Sequence, residues 1–372
     1  MEEALVDSVK NTPPIRGRKE RNSSIELFRI LAALLVLIVH LNGWMLGGLF
    51  DWDDISITPV HKYGQLAIIS ISCVCVNCFL LISGWFGLKL KYSAILKIWV
   101  TLVCIYIPFY AIEHIWHQHY SILGYINSAI AFSKESYFVQ CYLMLMFFSP
   151  ALNLLIEREK KRIALYTISI VTIEFVMEHV FQNKSLCINE GYSLFHFVTM
   201  YLVGRTLYQY KHEILKYPSY LWILVYILCA GLVGFMQLMG YNKAFAYSNP
   251  LVILESIMLF LPFVYYNFKS KTINALSESS FSVYIIQVTT PVCTTLFAVD
   301  QYAFKTLSYP TFLLLTILFS IVFYLVCFVY DYYRRRLTKP LLDRLEIRLS
   351  SIVNHITVSY THLRAHETCA DL

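Results

Sequence analysis

Charged residues are scarce in this sequence, where Asp, Glu, Lys and Arg make up only 15% of 372 residues. A soluble domain carries about 25% charged residues and is about half apolar or less. This chain is 58% apolar, so it lacks the polar surface that a soluble protein needs. The same composition excludes a disordered chain. With only 10 cysteines, the sequence is too poor in Cys to be a secreted disulfide-rich domain.

The composition instead predicts an all-α integral membrane protein with about ten transmembrane helices. A helix that crosses a bilayer needs about 20 apolar residues, and hydropathy indicates ten such stretches. We place them at 25–46, 66–88, 94–115, 138–156, 163–181, 193–210, 220–238, 251–266, 281–299 and 311–332. The membrane domain would occupy 23–342, between a basic tail at 1–22 and a short tail at 343–357.

The distribution of Lys and Arg predicts the orientation of the chain. With the N-terminus in the cytoplasm, the cytoplasmic segments hold 23 Lys and Arg and the outer loops hold five. This bias follows the positive-inside rule, so we expect both termini in the cytoplasm of a multi-pass cell-membrane protein. The net charge of +6 then reflects topology and gives no indication of a nucleic-acid partner. We expect the first helix to act as an uncleaved signal-anchor.

Residues 358–372 are set apart from the rest of the chain. They contain the polar string VSYTHLRAHET, which follows no apolar period. The string looks like the translation of a sequencing adaptor, so we exclude this segment from the fold and site predictions.

Ionisable side chains inside the first predicted span form the clearest candidate site. Arg29 and His40 are eleven residues apart, which on an α-helix is a net rotation of about 20° and a rise of about 16 Å. Both therefore lie on one face, and Glu26, one turn before Arg29, can pair with it. Ionisable groups at such depth usually face a cavity or a partner. Taken singly, Arg29 could snorkel to the interface, and His40 could bond to a neighbouring helix.

The same residues resemble a known family. An Arg followed by ten residues and a His in the first span is similar to the signature of the membrane acyltransferase-3 family. Four later stretches, at 76–87, 137–153, 191–207 and 277–287, resemble the family's pattern in the same order. The resemblance covers roughly residues 22–342 and is nearest to the polysaccharide O-acetyltransferase branch.

This resemblance implies a membrane O-acyltransferase. Such proteins move an acyl group, commonly acetyl, from cytoplasmic acyl-CoA to a hydroxyl of an extracytoplasmic polysaccharide or lipid-linked glycan. His40 would be the catalytic base, because imidazole titrates near neutral pH. Arg29 would share the catalytic site and, with Arg205, hold the CoA phosphates. Gln287 departs from the pattern, since family members often carry His there and an amide cannot accept and release a proton at neutral pH.

Four other residues are candidate supporting groups. Ser83 and Gly84 would let helices approach closely along the acyl path, and Ser83 could alternatively carry the acyl group covalently. Glu174 and Glu178 are four residues apart in the fifth span and share a face. They indicate either a proton or cation site at depth, or a short span whose carboxylates face an outer vestibule.

A second function stays open at this level. Arg29, His40 and the two glutamates could line the path of a proton-coupled transporter or flippase for a lipid-linked sugar. Inverted repeats or paired broken helices would favour transport, and the sequence shows no internal repeat. We expect no metal cofactor, because the spacing of His114 and His117 lacks the HExxH order.

Overall fold

The computed structural model describes residues 21–49, 56–117, 121–130, 136–182 and 189–370. Within these ranges the protein is helical and contains no strand, so the predicted all-α membrane fold is confirmed. The helices are α1 Ser23–Asn42, α2 Pro59–Ser72, α3 Cys75–Phe86, α4 Tyr92–His117, α5 Ile122–Ala129, α6 Tyr137–Arg158, α7 Ile163–Phe175, α8 Leu194–Gln209, α9 Lys211–Ile214, α10 Ser219–Leu238, α11 Pro250–Tyr265, α12 Lys271–Ser277, α13 Ser280–Gln287, α14 Thr290–Thr306 and α15 Tyr309–Ala370. A π-helical turn, Val176–Val180, extends α7.

Within the described ranges, seven helical segments are long and apolar enough to cross a membrane. They coincide with seven of the predicted spans and run Ser23–Leu46, Pro59–Phe86, Tyr92–Ile115, Tyr137–Arg158, Lys160–Val180, Ser219–Leu238 and Tyr309–Leu349. The second begins at Pro59 rather than at 66, because the Thr58 side chain caps α2 and proline starts a helix well.

The other three predicted spans coincide with helices that are short or bent. α8 and α11 have 16 residues each, which makes them about 24 Å long, against a hydrocarbon core of about 30 Å. The predicted span at 281–299 is interrupted where α13 meets α14, since the chain bends there by 78°. The count of ten spans and the cytoplasmic termini therefore stay predictions.

Helix α1 lies at the centre of the packing. It contacts α2, α3, α11, α12, α13 and α15. Phe28 and Leu37 on this helix have no exposed surface, and neither has Ala32. Burial over much of its circumference is typical of an interior helix in a membrane protein, and it places the polar side chains of α1 inside the protein.

Both ends of α1 are fixed by side-chain hydrogen bonds. At the start, the Asn22 side chain accepts from Ser24 N at 3.0 Å, which satisfies one free N–H of the first turn. At the other end, Gln65 Nε2 of α2 donates to Asn42 O at 2.9 Å. Helix ends leave carbonyls without intrahelical partners, so this bond ties the end of α1 to α2.

Helices α3 and α8 cross at two glycines. A Cβ atom on Gly84 would lie 2.5 Å from Tyr201 O and 2.9 Å from the Gly204 Cα. A Cβ on Gly204 would meet the Gly84 Cα at 2.8 Å. The close helix approach expected at Gly84 is therefore present, and its partner is α8.

Candidate active site

A cavity of about 1490 Å³ runs along α1. Its walls come from α1, α3, α4, α6, α13 and α15, together with the segments that precede α8 and α11. Glu26, Arg29, His40 and Ser83 all line it. Arg29 and His40 therefore face one continuous space, as their helical spacing predicts.

Basic side chains surround the cavity at the N-terminal half of α1, a region that we call the cationic end. They are Arg21, Arg29, Lys97, Arg334, Arg335 and Lys339. Arg29 Nε lies 3.3 Å from Glu26 Oε2, so the predicted pair on one face of α1 is present. Ser277 Oγ donates to the same carboxylate oxygen at 2.6 Å, which fixes Glu26 and with it the position of Arg29.

Three other arginines of this end pair with carboxylates, and Arg21 lies 3.0 Å from Glu278 Oε1. Arg334 donates from Nε and Nη2 to Asp331 Oδ1 at 2.9 and 2.7 Å. Arg335 pairs with Glu278 and places its Nε 2.9 Å from Asp331 Oδ2. Ion pairs with several hydrogen bonds hold their side chains in place. Arg334 and Arg335 therefore form a fixed part of the cavity wall.

Lys97 and Lys339 differ from the paired arginines. Neither forms an ion pair with any residue inside the described ranges, although both line the cavity. Together with Arg29, whose ion pair with Glu26 engages only Nε, they leave positive charge directed at the cavity. This end can attract a multiply charged anion.

His40 lies beyond the midpoint of α1 on the cavity wall. Its ring is half-buried and lies 5.3 Å from the Trp44 ring, centroid to centroid. Its Nδ1 is buried and has no hydrogen-bond partner among the described residues. The Gln287 side chain lies beside it. An imidazole in this position can accept a proton from a group that enters the cavity.

Aromatic side chains surround the cavity beyond His40, a region that we call the aromatic end. Its members are Trp44, Tyr137, Phe138, Tyr142, Tyr192, Tyr247 and Tyr284. The Tyr192 ring lies 4.9 Å from that of Tyr137 and 5.2 Å from that of Tyr247. Burial raises the pKa of the Tyr192 and Tyr247 hydroxyls, which lie outside the membrane-spanning helices. Both therefore remain protonated and can donate hydrogen bonds.

Ser83 lines the cavity between these two ends. Its Oγ donates to Phe79 O at 3.0 Å and lies 3.3 Å from the Tyr142 hydroxyl. A serine nucleophile needs an adjacent base to take its proton, and neither of these partners is a base. The contacts favour a packing role for Ser83 over a covalent acyl carrier.

Glu174 is buried in an ion pair away from the cavity. Its Oε1 lies 3.1 Å from His196 Nδ1, and His196 Nε2 lies 2.8 Å from Asn77 Oδ1. The Asn77 amide is oriented by donation from Nδ2 to Tyr247 O at 3.0 Å. Both ring nitrogens of His196 thus have a buried hydrogen-bond partner, Glu174 on one side and Asn77 on the other. The pair holds Asn77, which in turn holds Tyr247 at the aromatic end.

Glu178 is satisfied by a different set of groups. Its Oε2 accepts from Ser248 Oγ at 2.6 Å, and its Oε1 accepts from the backbone N–H of Glu190. Lys243 Nζ lies 3.7 Å from the same Oε1. These bonds join the π-helical turn after α7 to the segments that carry Tyr192 and Tyr247. Neither Glu174 nor Glu178 lines the cavity.

Arg205 lies outside this cavity. Its guanidinium packs over the Tyr208 ring at 5.5 Å and against Gly87, where Nη1 lies 3.0 Å from the place of a Cβ atom. The structure therefore does not bring Arg205 together with Arg29. Lys97 and Lys339 share the cavity with Arg29 instead.

Four residues of this site were missed by the sequence reasoning. In the sequence, Lys97 and Lys339 contribute to the positive-inside bias, and nothing there separates a topological role from a binding role. Tyr192 and Tyr247 lie in connecting segments among 28 tyrosines. Their only local signal is a position just before a helix, which does not predict a shared cavity.

The comparisons with known proteins agree with this picture. A family model described as an acyltransferase domain matches residues 22–332. The match includes Arg29, His40 and the whole aromatic end, and it stops just before Arg334. Searches of curated proteins and of solved structures gave no significant match. Among the described residues, no group of three or more His, Cys, Asp or Glu could hold a metal ion.

Proposed function

The chain belongs to the acyltransferase-3 family of membrane acyltransferases, and from this premise we propose that it transfers an acetyl group from acetyl-CoA to a glycan hydroxyl. The donor would enter from the cytoplasm, and the acceptor would be a polysaccharide or lipid-linked glycan across the cell membrane. The observation that carries this proposal is the single cavity that joins the cationic end to the aromatic end past His40. Both substrates would meet beside one base.

The cationic end supports binding of the donor. Phosphate groups prefer Arg for paired hydrogen bonds and accept Lys as a point charge. Arg29, Lys97 and Lys339 offer this combination. The lining between them and His40 includes the apolar side chains Val36 and Phe79, which suit the acyl-bearing arm of CoA better than its charged nucleotide.

The aromatic end supports binding of the acceptor. Aromatic faces pack against the apolar C–H faces of a sugar ring, while phenol hydroxyls bond to the sugar's own hydroxyls. Tyr137, Tyr192 and Tyr247 present three rings in contact with one another at this end. A saccharide lying on them would place a hydroxyl near His40.

The chemistry then needs one base and no added group. His40 removes the proton of the acceptor hydroxyl as its oxygen attacks the thioester carbonyl carbon. The carbon–sulfur bond breaks, and the proton held by His40 passes to the departing CoA thiolate. The hydroxyl oxygen gains the acetyl group, and His40 returns to its neutral form.

The transport interpretation has less support. It needs titratable groups along the path, and its candidates were Arg29, His40 and the two glutamates of the fifth span. Of these, Arg29 and His40 line the cavity. Glu174 is paired with His196, and Glu178 is bonded to Ser248 and Glu190. Because neither lines the cavity, a proton path through the cavity would have to omit both.

The test uses membranes that contain the full chain and the native glycan, supplied with labelled acetyl-CoA. We expect base-labile label on the glycan with the wild-type protein, and a loss of about 100-fold or more with His40→Ala. His212→Ala, the same change at an exposed histidine of α9 outside the cavity, serves as the control. Full transfer by a normally expressed His40→Ala protein would remove the base assignment. Absence of label with the folded wild type would favour transport instead.

A further inference from the structure

Gln287 occupies the point where a membrane helix is broken. It is the last residue of α13, and the chain bends by 78° between α13 and α14. Its neighbours Tyr284 and Val288 line the cavity together with His40, and α13 packs against α1. Broken helices inside membrane proteins bring polar groups to a site at depth.

The Gln287 side chain is a buried amide that lacks hydrogen-bond partners among the described residues. It has no exposed surface, and neither Nε2 nor Oε1 has a hydrogen-bond partner among the described residues. An unpaired buried polar group destabilises a fold. The amide lies beside the His40 ring, whose Nδ1 is also buried without a partner. The two side chains are therefore neighbours, and each has a buried polar atom without a partner among the described residues.

We propose that Gln287 is the positioning residue of His40, with Gln287 Oε1 accepting the proton on His40 Nδ1. This bond fixes the tautomer in which Nε2 is unprotonated and faces the cavity as the base. A group that fixes the ring in this way determines whether a histidine base works, since the wrong tautomer offers no free lone pair. The proposal rests on the proposed function only in taking His40 as the base.

The neutrality of the amide is part of this role. A carboxylate in the same place would stabilise the imidazolium form and leave less neutral base. The acidic side chains that line the cavity, Glu26, Glu278 and Asp343, belong to its cationic end. Five tyrosines line the cavity with His40: Tyr137, Tyr142, Tyr192, Tyr247 and Tyr284. Among the helices that pack against α1, α2 carries His61 and Lys62, and α14 carries Asp300 and Lys305. Gln287→Glu would therefore add negative charge on the cavity wall beside His40.

Carbethoxylation of His40 measures this effect without relying on acyl transfer. Diethylpyrocarbonate reacts with neutral imidazole. The pH dependence of labelling at the His40 peptide, followed by mass spectrometry, therefore gives the pH at which half of the His40 side chains are neutral. We call this pH the midpoint. We expect Gln287→Glu to raise the midpoint by about one pH unit or more. Gln287→Met, which removes the acceptor at similar volume, should lower it. Gln209→Glu, on the Lys160 side of α8, makes the same charge change outside the cavity and should leave it unchanged.

Kinetics supply the second readout. In Gln287→Met, kcat should fall by about 100-fold or more while the KM for the donor stays constant, because the tautomer is no longer fixed. A merely structural glutamine would lower the amount of folded protein and leave both the midpoint and kcat per folded molecule unchanged. If Gln287→Glu does not fold, the downward midpoint shift in Gln287→Met decides.

The outcomes separate this proposal from the proposed function. A His40 midpoint that is the same in folded Gln287→Glu, Gln287→Met and wild type overturns the proposal, whether or not acyl transfer occurs. If the midpoints shift in the two variants but the wild type transfers no acyl group, the Gln287–His40 pairing is upheld. The acyltransferase activity assigned to the cavity is then rejected. Shifted midpoints together with the fall in kcat support both.

Discussion

Glu174 and Glu255 are both glutamates without exposed surface, but their surroundings are opposite. Glu174 Oε1 lies 3.1 Å from His196 Nδ1. Glu255, on α11, has no hydrogen-bond partner for either carboxyl oxygen among the described residues. An unpaired carboxylate in an apolar interior is so unfavourable that the group takes up a proton instead. Glu174 is therefore part of a buried pair, and Glu255 is a neutral acid.

The same substitution should then have opposite effects at the two positions. Glu255→Gln replaces one neutral polar group by another of similar size, and we expect the thermal unfolding midpoint in detergent to stay close to that of the wild type. Glu174→Gln disrupts the buried contact with His196 Nδ1, which destabilises by about 1–3 kcal/mol. Equal losses of stability in the two variants would contradict the neutral state of Glu255.

Single residues of the site differ in how far the sequence predicts them. Arg29 and His40 are predictable because one helix carries both and its period fixes their relative direction. The His196–Glu174 pair is not predictable, since the partners come from different helices and meet only through tertiary packing. From the sequence, Glu174 is only one of two carboxylates in the fifth predicted span.

At the scale of helices, the crossing of α3 and α8 depends on the absence of side chains. We expect Gly84→Ala and Gly204→Ala to destabilise the fold by about 1–3 kcal/mol, since each new Cβ would lie under 3.0 Å from facing backbone. Backbone cannot rotate away as a side chain can, so the helices must separate.

Gly231 on α10 provides the matched control for these two glycines. A Cβ atom there would meet nothing within 4 Å. Gly231→Ala should be neutral or should stabilise by up to about 1 kcal/mol, because alanine favours a helix over glycine. A comparison of thermal unfolding midpoints for the three variants checks the prediction. Similar midpoints for all three would show that the crossing tolerates more space than the distances indicate.

The break between α13 and α14 shows where helix prediction from hydropathy fails. Residues 281–299 form one apolar stretch, so hydropathy predicts one straight span. Pro291 at the start of α14 is compatible with the first turn of a new helix, and it is the only strong local signal of the break. The bend itself depends on the packing of α13 against α1. Hydropathy carries no information about such tertiary contacts.

At the scale of the whole molecule, the cavity has two ends of different chemistry. The cationic end is built mainly from α1, α4 and α15, and the aromatic end from α6, α13 and two connecting segments. Composition and hydropathy predict the membrane fold, and they predict that Arg29 and His40 share a face. They do not predict which segments complete the walls, because those contacts join residues that are far apart in the sequence.

The separation of the two ends predicts that their substitutions affect different substrates. Lys97→Glu and Lys339→Glu should each raise the KM for acetyl-CoA by about tenfold or more, since a hydrogen-bonded charge contact contributes about 1.5–3 kcal/mol. Tyr192→Ala should raise the KM for the glycan by about 2- to 10-fold, the range of one lost aromatic contact.

Each substitution should change the KM for one substrate only. Each lysine variant should leave the glycan KM unchanged, and Tyr192→Ala should leave the donor KM unchanged, in steady-state assays that vary one substrate at a time. Lys305→Glu, at a lysine that does not line the cavity, controls for charge reversal alone. If the lysine variants raised the glycan KM and not the donor KM, the cationic end would belong to the acceptor. The direction of transfer along α1 would then be the reverse of the one proposed.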